Sequence, residues 1–167
     1  MKLKLYAICA IFFLGYSCEP QPAFDEAVER QKILLLHHAQ RDYHFNDKAE
    51  EFARQMSGDF ISINHGIVSR PTLAENMERF GAYFKSVSFS KWDDVAEPII
   101  RFSDDGSLAY TIVQKEVVLT YPSEQDDAIE SKTEFAWLAI YRKNNGEWKI
   151  ESVASTNKPD EREMIEK

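Results

Sequence analysis

The amino-acid sequence predicts an α+β domain in which a curved antiparallel sheet wraps around three N-terminal helices. In the first half of the chain apolar residues recur at helical spacing, and in the second half they recur at every second position. The longest alternating stretch covers residues 132–156, where Asn145-Gly146 predicts a tight turn between two strands. Helices followed by a run of strands are typical of the α+β class.

Length and charge limit the kinds of partner that the chain can have. The 167 residues carry a formal net charge of −8, and 44% of them are hydrophobic. This length suits one domain with a leader, and this hydrophobic content is sufficient for a core. An acidic chain repels phosphate backbones, and its sequence has no basic patch with interleaved aromatic residues. We therefore expect no nucleic-acid partner.

Residues 1–17 have the pattern of a secretory signal peptide. Lys2 and Lys4 precede an apolar run over residues 5–16. The run is shorter than the roughly 20 residues that span a bilayer, and its length matches the apolar core of a signal peptide. The alternative is a buried strand or short helix, but nothing amphipathic marks the segment as part of the fold.

Residues 14–18, Leu-Gly-Tyr-Ser-Cys, resemble a bacterial lipobox, although the Leu stands four positions before the Cys instead of three. The resemblance implies cleavage before Cys18, lipidation of Cys18, and a membrane-anchored protein of the cell envelope. Residues 18–23 contain two prolines and predict a short tether. Cleavage removes Cys9, so the mature chain has no internal disulfide. The alternative is an ordinary secreted chain with a free Cys18.

Three helices are predicted before the period changes. The first covers residues 25–44, the second follows the break at Asn46-Asp47, and the third begins at Thr72, which forms a capping box with Glu75. Their predicted apolar faces are Phe24, Val28, Leu35, Leu36, Ala39 and Tyr43; then Ala49, Phe52, Ala53 and Met56; then Leu73, Met77, Phe80 and Phe84.

Strands follow the first two helices and dominate the second half. One early strand is predicted over residues 59–64 and ends in a turn at His65-Gly66. Later strands are predicted near Val87, over residues 97–103, over residues 107–121 after an Asp-Asp-Gly turn, and in both arms of the 132–156 hairpin. An acidic loop is predicted over residues 122–130. The domain is therefore expected to cover residues 24–157, with a charged tail over residues 158–167.

The first arm of the hairpin is apolar on both faces. One face carries Phe135, Trp137, Ala139 and Tyr141, and the other carries Ala136, Leu138 and Ile140. One face covers the helices, so the other predicts an exposed apolar row of the kind that marks an interface. We therefore expect a homodimer that packs sheet against sheet. Trp148, on the apolar face of the second arm, is predicted to lie in the core.

This order of elements resembles the nuclear transport factor 2-like superfamily, and within it the SnoaL-like branch, over residues 24–156. The resemblance rests on the break at Asp47, on residues 56–63 before Gly66, and on the C-terminal motif over residues 141–150. It implies a cone-shaped sheet with an internal pocket and dimerisation through the sheet. The superfamily hosts isomerases, hydratases, epoxide hydrolases and members without a known reaction, so the fold alone does not assign a function.

The catalytic groups of the resembled enzymes have no counterparts here. Ketosteroid-isomerase-like members place a carboxylate base at the end of the first strand, where this sequence has Asn64, and an amide accepts no proton at neutral pH. Their hydrogen-bond donors map near Ala39 and Ile140, whose side chains donate nothing. The late strand of the SnoaL-like cyclases carries a His or Asp, whereas residues 153–155 here are Val-Ala-Ser.

Three weaker candidates for catalytic groups remain: His65, Glu116 and Glu134. An imidazole titrates near neutrality and suits a base inside a cavity, but His65 is equally a solvent-exposed turn residue. Each Glu lies mid-strand in an apolar run, either as a cavity acid whose pKa is raised by desolvation or as an exposed partner of a Lys or Arg. The histidines of the first helix share no metal-binding face, so we expect no metal and no cofactor.

Tyr43, Asn64, Tyr83, Trp92 and Trp137 are predicted to line a pocket for a flat or apolar ligand, with an ordinary core as the alternative. We therefore expect a cell-envelope lipoprotein whose cone-fold pocket binds a small apolar ligand or a partner protein. The alternative is a SnoaL-like enzyme, of the isomerase, hydratase or cyclase type, that acts on an apolar small molecule.

Overall fold

The computed structural model describes residues 24–122 and 127–166. The predicted signal peptide, the predicted tether with Cys18, and the middle of the predicted acidic loop lie outside the described residues. The described elements are α1 (Glu26–Phe45), α2 (Ala49–Ala53), β1 (Met56–Asn64), β2 (Ile67–Ser69), α3 (Leu73–Ser86), β3 (Ser88–Asp94), β4 (Ile99–Phe102), β5 (Leu108–Pro122), β6 (Asp127–Asn144), β7 (Glu147–Asn157) and β8 (Glu161–Glu166).

The strands form one curved, unclosed sheet in the order β2-β1-β7-β6-β5-β3, with β4 also paired to β5 and β8 also paired to β6. The predicted α+β class with three N-terminal helices is confirmed, but the sheet is mixed and not purely antiparallel. β1 runs parallel to β7, whereas the other pairs are antiparallel. A parallel pair needs a long connection, and residues 65–146 supply it.

Local signals placed the element ends correctly. The carboxylate of Asp25 accepts hydrogen bonds from the first backbone N–H groups of α1, and Thr72 forms the predicted capping box with Glu75 at the start of α3. The β6–β7 turn holds Asn145 at φ 51° and Gly146 at φ 84°, the left-handed region that an Asn-Gly turn supplies. These signals depend only on neighbouring residues.

The predicted apolar stripe of α1 is only partly buried: Leu36 packs against the core, whereas other members of the stripe lie in solvent. Leu35 is 68% exposed and Val28 is half-exposed, whereas the buried residues are Glu29, Ile33, His37, Gln40 and His44. These five positions recur at helical spacing, but four of them are polar. The polar residues can be buried because the sheet and the start of β1 carry partners for their polar atoms. The spacing of apolar residues in the sequence contains no information about such partners.

Two further boundaries differ from the prediction. α2 ends at Ala53, so Met56 belongs to β1 and not to the face of the second helix. Residues 158–167, predicted as a charged tail, contain strand β8, which pairs antiparallel with the first residues of β6. Its side chains are largely exposed, so backbone hydrogen bonds and not burial hold this strand.

The inner face of the sheet, defined here as the face that carries Trp137 and Tyr141, packs on the helices. The main core cluster is formed by Ile33, Phe60, Ile100, Ala109, Ala139, Tyr141, Trp148 and Ile150. Trp148 is 2% exposed, so its predicted core position is confirmed. A second cluster, formed by Val87, Val117 and Leu119, lies toward the other end of β5.

Trp148 also fixes the first turns of α1. Its indole N–H donates to Glu29 at 2.6 Å, and Lys32 and Lys143 lie 2.8 and 2.9 Å from the other oxygen of that carboxylate. Burial acts to raise the pKa of Glu29, but hydrogen bonds from these three donors outweigh it, and the pKa falls to about 2. The buried carboxylate is therefore charged and fully partnered.

We expect Ile33→Ala to lower the free energy of unfolding by about 2–5 kcal/mol, because it leaves a cavity between α1 and the sheet. Leu35→Ala is the matched control, since Leu35 lies two residues along the same helix in solvent, and it should cost less than about 0.5 kcal/mol. Urea denaturation measures both values. A larger loss for Leu35→Ala than for Ile33→Ala would contradict the observed rotation of α1.

Candidate functional site

A cavity of about 270 Å³ lies between the helices and the inner face of the sheet. Most of its wall is aromatic or aliphatic, and the side chains come from all three helices and from β1, β3, β6 and β7. The aromatic residues are Phe52, Phe60, Phe80, Tyr83, Trp92, Phe135, Trp137 and Tyr141, and the aliphatic ones are Met56, Ala139, Ile150 and Val153. The shape and composition are those of a site for a small apolar molecule.

A few polar residues complete the wall: Gln40, His44, Ser62, Asn64, Arg79 and Ser155. No Asp or Glu occurs among the lining residues, all of which are described. Gln40 is tied down, because its side-chain amide donates to Gln55 at 3.1 Å, and Gln55 donates in turn to the backbone carbonyl of Leu36. This chain of amides holds the end of α1 against the start of β1.

His44 is the buried histidine of the cavity wall. Its ring stacks on Trp92, with the ring centroids 3.6 Å apart. Nδ1 lies 2.6 Å from the carbonyl oxygen of Gln40, which only accepts, so Nδ1 carries the proton and donates. Burial lowers the pKa of His44 to about 4. The ring is therefore neutral at pH 7, and its Nε2 makes no hydrogen bond within the described part of the chain.

The two tyrosine hydroxyls of the cavity wall, like the ring of His44, are held in their uncharged forms. Burial raises the pKa of both Tyr83 and Tyr141 to about 12. General acid–base catalysis works best when the pKa of the catalytic group lies near the operating pH. The pKa values of His44, Tyr83 and Tyr141 all lie well away from 7.

A buried charged network lies behind Trp92. Asp94 accepts a hydrogen bond from Nε2 of His37 at 2.9 Å and pairs with Lys115 at 2.7 Å, and the Lys115 ammonium lies 5.7 Å from the Trp92 ring centre. Burial acts to raise the pKa of Asp94, but His37 and Lys115 outweigh it and bring the pKa to about 2. The network ties α1 to β3 and β5 and thereby positions Trp92 in the wall.

The predicted pocket residues divide clearly. Asn64, Tyr83, Trp92 and Trp137 line the cavity, whereas Tyr43 does not. Successive residues of a helix point about 100° apart, and the polar contacts of α1 turn the following residue, His44, toward the cavity instead. The predicted face of α1 was therefore wrong by one position at this end of the helix.

None of the three candidate catalytic residues lies in the cavity wall. His65 is an exposed turn residue with φ 50°. Glu116 and Glu134 point to the opposite face of the sheet, where Lys91 lies 2.7 Å from Glu116 and Lys158 lies 2.7 Å from Glu134. These lysines lower the pKa of the two carboxylates, so the proposal of a raised pKa for them is wrong. The ion-pair interpretation is the correct one.

Sequence reasoning missed His44 and Arg79 as cavity residues. A signal for His44 was present, because Glu29, His37, Gln40 and His44 recur at helical spacing and form a polar stripe. No comparable signal marks Arg79, which is one of several charges on α3. Within the described residues no group of three His, Cys, Asp or Glu side chains is placed to hold a metal ion, and no helix is long and apolar enough to cross a membrane.

Solved structures with this architecture come from several bacteria. A nuclear transport factor 2-like protein from Cytophaga hutchinsonii has 16% identity and a TM-score of 0.60, and the match covers 77% of this chain and 97% of that one. A ketosteroid isomerase-like protein from Erwinia carotovora atroseptica has 16% identity and a TM-score of 0.63, and the match covers 81% of this chain and 100% of that one.

A third similar structure is a nuclear transport factor 2-like protein of unknown function in nutrient uptake from Rhodospirillum rubrum. It has 17% identity and a TM-score of 0.57, and the match covers 76% of this chain and 98% of that one. No protein-family model and no curated protein matches the chain. The chain therefore has the nuclear transport factor 2-like cone fold. Its assignment to the SnoaL-like branch stays a prediction.

The neutral state of His44 predicts a pH-dependent stability. Because its pKa is about 4 in the folded chain and 6.5 ordinarily, the unfolded chain binds the proton more readily between these values. The stabilisation is complete above about pH 6.5 and is lost as the pH falls toward about 4, a loss of about 3 kcal/mol. His44→Gln should remove this loss in urea denaturation at about pH 7 and about pH 4.5.

His38→Gln is the control, since His38 is an exposed histidine of the same helix. It should retain the pH dependence of the wild type. If His44→Gln lost as much stability on acidification as the wild type does, the neutral buried state of His44 would be wrong.

Proposed function

We propose that the protein binds a small apolar molecule in the cavity between the helices and the inner face of the sheet. The observation that carries the proposal is the wall itself: eight aromatic side chains surround a space of about 270 Å³. Such a space accommodates one small molecule. Trp92 and Trp137 lie with their ring centres 6.2 Å apart, so flat ligands are favoured.

Binding is favoured over catalysis by the protonation states of the wall. Nothing among the lining residues supplies a carboxylate base, and Asn64 stands where ketosteroid-isomerase-like enzymes carry theirs. The pKa of His44, about 4, makes its imidazole a weak base at neutral pH. The neutral Nε2 is instead a hydrogen-bond acceptor, which can orient a ligand hydroxyl without taking its proton.

We expect 2-naphthol to quench the tryptophan fluorescence of the wild type, because Trp92 and Trp137 line the cavity. Ala139→Leu should weaken binding by about tenfold or more, since the added carbons occupy ligand space. Ala136→Leu, three residues away on the opposite face of β6, should bind as the wild type does. Equal affinities for the two variants would place the ligand outside the cavity.

We also propose that the protein forms a homodimer through the outer face of the sheet, defined as the face opposite Trp137. An apolar row crosses six strands there in continuous register: Val68, Ile63, Ala154, Leu138, Ile112 and Ile99. Five of these side chains are exposed, and Ala154 is half-buried. A contiguous exposed apolar row of this length is typical of a surface that binds a partner, and a second copy of the chain supplies a matching row.

Leu138→Lys should make the protein monomeric, because a charge at the centre of the row would be buried without a partner at a cost of several kcal/mol. Leu35→Lys, on the exposed side of α1, is the control and should leave the dimer intact. Light scattering after gel filtration measures both masses. A wild type that is monomeric at tens of micromolar would overturn the proposed dimer.

The anchor at Cys18 is proposed from the leader sequence alone, since residues 1–23 lie outside the described residues. Two acyl chains hold a protein firmly on a membrane, whereas one gives only marginal binding. Cys18→Ala expressed in a bacterial host should therefore move the protein from the membrane fraction to the soluble fraction. Cys9→Ala, within the apolar run, should not. A Cys18→Ala protein that still pellets with membranes would exclude lipid attachment at this residue.

A further inference from the structure

Arg79 is the one side chain of the cavity wall that carries a full charge at neutral pH. The lining residues, all of them described, include no Asp, Glu or Lys. His44 is neutral because its pKa is about 4. Arg79 therefore carries the one full charge among the lining residues, and the charged pair of Asp94 and Lys115 lies behind Trp92. The positive charge of Arg79 contrasts with the net charge of −8 of the chain as a whole.

The guanidinium is held in place without being neutralised. It donates to Oδ1 of Asn76 at 2.8 Å, and its central carbon lies 4.7 Å from the centre of the Phe80 ring. Asn76 is 1% exposed and cannot move readily, so it acts as a positioning residue. Burial lowers the pKa of Arg79 below its usual value but leaves the group charged. Arg79 is an exposed residue, so the cation stays open to solvent while Asn76 and Phe80 hold it in position.

Arg79 has no carboxylate within salt-bridge distance in the described residues. Most arginines of the described chain do: Arg30, Arg41, Arg54, Arg142 and Arg162 each pair with an Asp or Glu. The acidic residue one turn before Arg79, Glu75, is instead bound to the backbone and hydroxyl of Thr72 in the capping box. Arg79 is exposed and also lines the cavity, so its guanidinium is free to bind the carboxylate of a ligand there.

We infer that the cavity takes an apolar monocarboxylate, whose carboxylate binds Arg79 and whose hydrocarbon or aromatic part occupies the space beside Trp92 and Trp137. This inference rests on the proposed binding function and names its ligand class. The planar fork of Arg matches a carboxylate with two parallel hydrogen bonds. No second cation lines the cavity, so a dianion would leave one charge without a partner.

The test compares 2-naphthoate with 2-naphthamide, a neutral molecule of nearly the same shape, by calorimetric titration of the full domain. We expect the wild type to bind the carboxylate about tenfold or more tighter than the amide. Arg79→Gln should lose this difference and keep the affinity for the amide, and Arg79→Lys should retain part of it. Added salt should weaken carboxylate binding and leave amide binding unchanged.

Arg70→Gln is the control, since Arg70 is an exposed arginine just before α3 that does not line the cavity. It should behave as the wild type. Equal affinity of the wild type for acid and amide, or an Arg79→Gln variant that keeps the preference, would overturn the inference while leaving apolar binding intact. Failure of the wild type to bind either molecule would overturn the proposed binding function itself. Thermal unfolding of each variant establishes that it is folded.

Discussion

The rest of the structure depends on the burial of a polar helix face. α1 presents Glu29, His37, Gln40 and His44 to the interior, and an unpartnered buried charge would cost several kcal/mol. Glu29 therefore requires Trp148 from β7 and Lys143 from β6, and His37 faces Asp94 on β3. These contacts fix both the rotation and the position of α1 along its axis, because sliding the helix by one residue would break all of them.

The cavity follows from this constraint. The polar contacts hold α1 at two levels, and apolar clusters fill the space around Ile33 and around Val117. Large aromatic rings of the inner face of the sheet, such as Trp92 and Trp137, line the cavity. His44 completes the wall. Burial keeps its imidazole neutral against Trp92, and the hydrogen bond to Gln40 fixes the orientation of the ring. An open, mostly apolar space with fixed walls is preorganised for a ligand, so little binding free energy is lost in ordering it.

The sequence predicted those features that local chemistry decides. The Asn-Gly turn, the Thr72–Glu75 capping box and the alternation along β6 all rest on neighbouring residues, and all are present. The incorrect predictions concern features that depend on contacts between residues far apart in the sequence. The rotation of α1 depends on partners more than 50 residues away in the sequence, such as Asp94 and Trp148. The spacing of the apolar residues of α1 therefore predicted the wrong buried face. The parallel pairing of β1 with β7 also joins residues far apart in the sequence, and the lysine partners of Glu116 come from neighbouring strands. Asn64, Tyr83, Trp92 and Trp137 could be named from the sequence because large aromatic and strand-end residues commonly meet inside a curved sheet. Arg79 could not, because only the fold brings this one of several α3 charges to the cavity wall.

The most direct measurement is a crystal structure of the protein with 6-bromo-2-naphthoate, because the anomalous signal of bromine locates the ring independently of the phases of the protein. We expect the bromine peak inside the cavity, beside Trp92 and Trp137, with the carboxylate in hydrogen-bond contact with the guanidinium of Arg79. A bromine peak on the outer face of the sheet or along the exposed side of α3, with the cavity free of ligand, would contradict the assignment of this cavity as the binding site.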